Sequence, residues 1–268
     1  MKKLFKVLCL AAVLALLPCL FAGCGDNVIQ PRLNAPPSPP QSESAHSDDG
    51  QVLHGEIMQL KGGFALIASE NGELCSVSVS ELPIFGEDGG ALKADELEAG
   101  MLVDILFSGY VLAIYPTTLD APEKLTVAGR SNGVAGLYFQ AICDIIKDDP
   151  GLNNDISVVS VDLSGAANLT DAQREALVYM TGCELGCEWL SLSYSELCDE
   201  GYIDRDKLIF NDGILISAAT SKVAPDGKSF TFNIQKWRSG LGALFYNDCA
   251  ARLKDGAWSY SPGAYAIS

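Results

Sequence analysis

Histidine is nearly missing from this 268-residue chain: His46 and His54 are the only two. A Ser-His-Asp or Cys-His nucleophile would have to use His54, because His46 lies in a Pro- and Ser-rich stretch and proton transfer needs a base held within about 3 Å. The same shortage excludes His-rich zinc sites. Basic residues are scarce too, 18 against 34 acidic ones, for a formal charge of −16. Nucleic acids and anionic membrane surfaces are bound through clustered Lys and Arg that release counterions, so this balance argues against both. There is no unbroken run of about 20 apolar residues, so no permanent transmembrane helix is expected.

The familiar ligand loops are also incomplete. Gly227-Lys228-Ser229 ends like a phosphate-binding loop, but Lys222 stands where its first glycine is required. Gly240-x-Gly242 has Phe245 in place of the third glycine of a dinucleotide site. Asp204-x-Asp206 has Ile209 where a calcium loop needs glycine. Among so many acids, carboxylate pairs suited to glycoside hydrolysis occur by chance and carry no weight. No catalytic set, metal site or cofactor is expected, and a non-enzymatic role follows.

The N-terminus is the most explicit signal present. Lys2, Lys3 and Lys6 precede an apolar run from Val7 to Ala22, interrupted by Pro18, and then Gly23-Cys24. This is the layout of a secretory signal with a small-residue cleavage site. Leu20-Phe21-Ala22-Gly23-Cys24 resembles the lipobox of bacterial lipoproteins. That resemblance implies cleavage after Gly23, lipidation of Cys24, and a membrane-anchored protein on the extracytoplasmic face. Removing residues 1–23 takes three lysines and no acid, leaving 15 basic and 34 acidic residues, a net charge of −19. Residues 24–50, with Pro31, Pro36, Pro37, Pro39 and Pro40 ahead of Ser42, Glu43, Ser44, Ser47, Asp48 and Asp49, read as an extended tether.

Beyond the tether, 48% hydrophobic residues supply a real core. Residues 51–128 read as short strands. Val52–Leu60 and Gly63–Ser69 flank a turn, Cys75, Val77 and Val79 alternate with serines, and Met101, Val103, Ile105 and Phe107 alternate likewise. Ser108-Gly109 then turns the chain into Tyr110–Tyr115. Such strands suit a small closed β-barrel of the OB type, since closure removes exposed edges. The run from Gly100 through Ile105 to Tyr115-Pro116 resembles the small β-barrel domain of a group of Firmicute lipoproteins. OB barrels often bind oligonucleotides, yet Lys61, Lys93 and Lys124 are the only Lys or Arg between Val52 and Val127, so no nucleic-acid partner is expected. Pro122 and Gly129 mark a linker over 118–131.

Residues 129–268 read as an α+β domain with a mostly antiparallel sheet. Val134, Leu137, Tyr138, Ala141, Ile142 and Ile145 fall at helical spacing, with Ser131 or Asn132 as cap. Thr170-x-x-Gln173 and Ser193-x-x-Glu196 are capping boxes, the first opening a helix to about Met180. Asn211-Asp212-Gly213 signals a hairpin, and alternation from Phe230 leads into a long strand to Leu253 that turns at Asp255-Gly256. This ending resembles cone-shaped domains of the nuclear-transport-factor-2 or cystatin type.

Six cysteines follow Cys24: Cys75, Cys143, Cys183, Cys187, Cys198 and Cys249. An even number outside the cytoplasm permits disulfides in many pairings, but no Cys-x-x-Cys pair supports a redox motif or a zinc knuckle, and buried thiols are the simplest reading. Trp237, Arg238, Tyr246, Trp258 and Tyr260, with Phe245 and Tyr265 nearby, are the candidate binding residues, because Trp, Tyr and Arg dominate binding energies. Their alternating spacing suits a core equally. The expectation is a surface-anchored, non-catalytic binding module for a neutral or cationic protein, peptide or wall component. The alternatives are an extracytoplasmic hydrolase using acids or a thiol, and a thiol redox or metal module.

Overall fold

The computed structural model describes residues 50–268. The signal segment, Cys24, His46 and all of the tether but Gly50 lie outside these residues. The chain is a sheet-rich α+β protein, 47% strand and 19% helix, built on two large curled sheets.

The first sheet contains β1 (Gln51–Lys61), β2 (Phe64–Ser69), β3 (Leu74–Ser78), β4 (Ile84–Phe85), β5 (Ala91–Leu92), β6 (Met101–Phe107), β7 (Val111–Leu112), β8 (Thr117–Leu119) and β9 (Pro122–Arg130). Gly62 and Gly63, with φ of +61° and +82°, make the two-residue turn between β1 and β2, a backbone that side-chain-bearing residues resist. The order is β5-β4-β9-β6-β1-β2-β3-β8-β7, with β3 parallel to β8 and β6 antiparallel to β9. Only Asp120 and Ala121 separate β8 from β9, so one segment pairs with β3 at one end and β6 at the other, and the sheet curls round its own core. The stretch expected as a linker over 118–131 is thus mostly strand, recruited by pairing with β6 that no local signal announces.

Alternation on β6 is regular, with Met101, Val103, Ile105 and Phe107 pointing into that core. On β2 almost every residue is buried, because the two faces have different covers. Ala65 and Ile67 face the inside of the sheet, while Leu66 and Ala68 join Met58 and Leu74 against the helices. A strand covered on both sides reads as a continuous apolar run.

The rest of the chain forms α1 (Val134–Lys147), β10 (Val158–Asp162), α2 (Asp171–Leu185), β11 (Glu188–Leu190), α3 (Tyr194–Asp199), β12 (Ile203–Asp204), β13 (Ile209–Phe210), β14 (Gly213–Val223), β15 (Ser229–Ser239), β16 (Gly242–Lys254), β17 (Ala257–Ser261) and β18 (Ala264–Ile267). Thr170 and Gln173 close their capping box reciprocally, Gln173 N–H donating to Thr170 Oγ1 at 3.2 Å and Thr170 N–H to Gln173 Oε1 at 2.9 Å. Helix α2 runs five residues past Met180 because its left-handed stop is Gly186, at φ +65°. Gly182 inside it is a packing requirement: a Cβ there would stand 2.8 Å from the Trp189 side chain.

Two expectations fail on long-range pairing. Asn211-Asp212-Gly213 does not join a hairpin; β13 pairs with β12 and β15, whereas β14 lies between β10, to which it is parallel, and β15. Burial along Gly213–Ile216 draws β14 to the sheet centre, overriding the turn signal. The long strand expected to Leu253 is two, β15 and β16, hinged at Gly240-Leu241.

Strand alternation gives the second sheet two unlike faces. Ile214, Ile216, Phe230, Phe232 and Ile234 pack under α1 and α2. Leu215 and Trp237 face the other way, where Leu197 of α3 and Phe210 cover one end only. The sheets meet at Glu56, whose buried carboxylate accepts from Ser131 Oγ at 2.6 Å and Gln173 Nε2 at 2.7 Å.

Candidate functional site

The five aromatic and arginine candidates do not converge. Trp237 stands edge-on to Tyr194, ring centroids 5.1 Å apart, in the small core beneath α3. Arg238 spends its guanidinium on backbone: Nη1 donates to the carbonyls of Leu152 (3.1 Å) and Asn154 (2.6 Å), and Nη2 to that of Asn211 (3.3 Å). Tyr246, Trp258 and Tyr260 lie on the opposite face against α1. Tyr246 donates to Asp148 Oδ2, Tyr260 to Asp144 Oδ2 at 2.7 Å, and Trp258 packs on Phe230 at 5.1 Å. Burial first, then the adjacent Asp148 or Asp144 carboxylate, pushes both phenols well above the usual tyrosine range, so they stay protonated donors.

The same face carries a residue that pattern reading missed. Lys236 follows Phe230, Phe232 and Ile234 on the inward side of β15 and is fully buried. Its Nζ donates to the carbonyls of Ile146 (3.2 Å), Asp148 and Asp149 (3.0 Å) and to Asn153 Oδ1 (3.2 Å). These groups end α1, where carbonyls lack intrahelical partners and the helix dipole favours a cation. Burial lowers the ammonium to about 8, against the opposing pull of Asp149 and Asp148. Four acceptors occupy the ammonium, which makes it a pin for the helix end.

The six described cysteines are all free thiols. Burial, followed by Glu73 and Glu175, pushes Cys75 up to about 11, and burial raises Cys143, Cys187 and Cys249 as well, which keeps them as thiols rather than thiolates. Cys198 sits with the core under α3 and Cys249 in the main core, so the four-thiolate set with Cys183 and Cys187 is not assembled. Among the described residues no group of three or more His, Cys, Asp or Glu could hold a metal ion. His54 Nδ1 meets Asp104 Oδ1 at 2.6 Å across β1 and β6, both exposed. Among the described residues, no hydroxyl or thiol is hydrogen-bonded to its other nitrogen.

What the second sheet does present is a trough of about 300 Å³ on the part of its outer face that α3 leaves bare. Ser217 and Ala219 of β14, Asn233 and Gln235 of β15, and Phe245 and Asn247 of β16 line it, with Asp162, Ser164 and Gly165 at the rim. The small side chains on β14 create the recess. Gly165 lets the rim close in, since a Cβ there would stand 2.7 Å from that of Ala219. Gln235 Nε2 donates to Ser217 Oγ at 2.8 Å, Asn233 Oδ1 accepts from the Asp248 N–H at 2.8 Å, and Asp162 Oδ1 accepts from Ser164 Oγ at 2.6 Å. Asp162 is the one charged residue lining it. Carboxamides and hydroxyls that both donate and accept, beside one aromatic ring, match an uncharged, hydroxyl- or amide-rich ligand. Phe245 belongs to the aromatic cluster visible in the sequence, but the polar residues were passed over because polar positions alternating with a buried face look like an ordinary solvated surface. In comparisons with protein-family models, curated proteins and solved structures, nothing matches the chain.

Proposed function

We propose that this chain is a lipoprotein anchored through Cys24 on the extracytoplasmic face of the membrane, acting by binding rather than catalysis. Its ligand site is the trough formed by Ser217, Asn233, Gln235, Phe245 and Asn247. The observation that carries this reading is the trough's chemistry: neutral hydrogen-bonding groups, one ring and one carboxylate, within an acidic chain. A neutral wall glycan or an uncharged peptide fits that set. The thiols of Cys75, Cys143, Cys187 and Cys249, raised by burial, weigh against the thiol-based alternatives.

In fold terms, the first sheet is an OB-like barrel, supported by the β1-β2-β3 meander and the parallel β3–β8 pairing next to β9. The second is a cone-shaped sheet in which β14, β15 and β16 wrap α1, the form expected of nuclear-transport-factor-2-like or cystatin-like domains.

Calorimetric titration of the processed chain with soluble wall-glycan fragments, and with uncharged peptides, tests the site. Binding should be insensitive to salt, since no ion pair is involved. Gln235→Ala and Asn233→Ala should each weaken it about tenfold at unchanged melting temperature, as expected for one or two lost hydrogen bonds. A parent that binds neither probe, or variants that bind like the parent, would remove the trough from consideration.

A further inference from the structure

From Ile105 to Leu119 no residue is charged, and the middle of this stretch faces solvent. Tyr110, Val111, Leu112, Ile114 and Tyr115 are 57%, 50%, 50%, 60% and 40% exposed, five large apolar side chains within six consecutive positions. Hydrophobic residues scattered singly over a surface need no explanation, but a contiguous set marks a contact with something apolar. β7 is also the terminal strand of its sheet, where an exposed apolar edge is a hazard that proteins normally blunt with charge. Its two residues are too few to template a docking strand.

The loop is held in place rather than loose. Asp120 N–H donates to the Tyr110 carbonyl at 3.0 Å, and Ser108 Oγ to the Asp120 carbonyl at 3.0 Å. At the far end Tyr115 donates to Glu175 Oε1 at 2.9 Å and its ring packs beside the Tyr179–Trp189 pair, 5.9 and 6.3 Å from the two rings. Burial and the Glu175 carboxylate keep that phenol well above the usual tyrosine range.

Its position is the decisive point. The chain enters the described fold at Gly50 and Gln51, and Gln51 pairs with Phe107, three residues before Tyr110. Gly109 lies against the Gln51 side chain, where an added Cβ would stand 3.2 Å from its carboxamide. The described fold therefore begins at the base of the apolar loop.

We propose that the Tyr110–Tyr115 loop is a second membrane contact, inserting Val111, Leu112 and Ile114 into the apolar edge of the phospholipid bilayer to which Cys24 tethers the chain. This rests on the anchor reading above. Tyr110, 57% exposed, borders the aliphatic residues on one side as an interfacial aromatic does, and Tyr115 fastens the other side of the loop to the body through Glu175. Because the loop is uncharged and the body acidic, insertion is apolar and needs no anionic lipid.

The test uses the processed full chain reconstituted in phosphatidylcholine vesicles, with Leu112→Trp compared against Leu241→Trp. Leu241, 91% exposed, lies at the hairpin beyond the C-terminal end of α1, about 20 Å along that helix from the joint with the first sheet. After subtraction of the parent's Trp189, Trp237 and Trp258 emission, the residue at 112 should lose about half its fluorescence to lipids brominated on the acyl chain, as at a depth of 5–10 Å. The residue at 241 should lose none. Equal, unquenched emission at both sites in a chain that floats with the vesicles would overturn the loop proposal while leaving the anchor intact. A Cys24→Ala chain that floats as well as the parent would instead sink the anchor reading, and quenching at 112 would then decide the loop by itself. A dimer of the parent that Leu112→Asp abolishes would assign the loop to a second copy of the chain and refute the lipid contact.

Discussion

In the first sheet, Ile57, Ile67, Ile105 and Leu125 meet one another across the inside of a single curled layer, and among the described residues no buried charged side chain joins that core. In the second, the corresponding residues of β14 and β15 meet helices, and Lys236 lies buried beside them. The difference follows from where each element puts its unpaired backbone groups. A sheet that curls on itself pairs nearly all of its carbonyls and amides within the layer. A helix laid on a sheet ends in carbonyls with no partner, and if that end is buried a donor must come from elsewhere. Among the described residues, Lys236 and Glu56 are the two buried charged residues. They sit at opposite ends of α1: the ammonium on its last carbonyls, the carboxylate linked to its start through Ser131, whose Oγ accepts from Gly133 N–H at 3.0 Å. Both signs are those the helix dipole favours.

The sharpest break in this contrast is Lys236→Met, which keeps the packing and removes the donor. Leaving buried carbonyls unsatisfied should cost about 3 kcal/mol at neutral pH, read by urea denaturation. The difference should also depend on pH. The folded pKa of about 8 lies below the ordinary 10.5, so between these values the unfolded chain binds more protons on this group than the folded one. Stability of the parent relative to Lys236→Met should therefore rise with pH across that window, by something on the order of 3 kcal/mol. Subtracting the variant cancels the tyrosines and cysteines, which act oppositely at alkaline pH. A flat difference would mean that Lys236 is not buried as a cation.

A smaller effect is expected at the joint. Glu56→Ala should lower stability by about 2 kcal/mol by stranding Ser131 and Gln173, and Glu56→Gln should recover about half, since an amide oxygen still accepts. Equal melting temperatures for parent and Glu56→Ala would show that the carboxylate does not hold the sheets together. The smallest effect belongs to the first sheet's surface. His54→Ala removes an exposed pair with Asp104 and should change stability by less than about 0.5 kcal/mol, and a larger loss would put hidden structure around that dyad.

Features that depend on neighbours a few residues apart were legible in the chain itself. The Thr170–Gln173 and Ser193–Glu196 boxes close as their spacing predicts, β6 alternates as read, and the apolar positions of α1 face the core. In α1 the reading of the cap holds in part: Asn132 Oδ1 accepts from Val134 N–H at 3.0 Å, while Gly133 occupies the cap position itself. The candidate site was far less legible. Trp237 and Tyr246 are close in sequence, but strand alternation and the Gly240-Leu241 hairpin send them to opposite faces. The trough floor comes from three strands that only pairing brings together, and its polar residues look like solvated positions when taken singly.

By itself the sequence determined the local elements: where helices begin, which strands alternate, and that the chain is acidic and poor in histidine. Those properties depend on propensity, capping and composition, all acting within a turn or two. Tertiary structure decided that Asn211-Asp212-Gly213 would lead into a central strand, that Pro122–Arg130 would pair with β6, and that a lysine would be drawn into the core. In each case the deciding energy was the burial and hydrogen bonding of groups far apart in the chain, which no short window of residues contains.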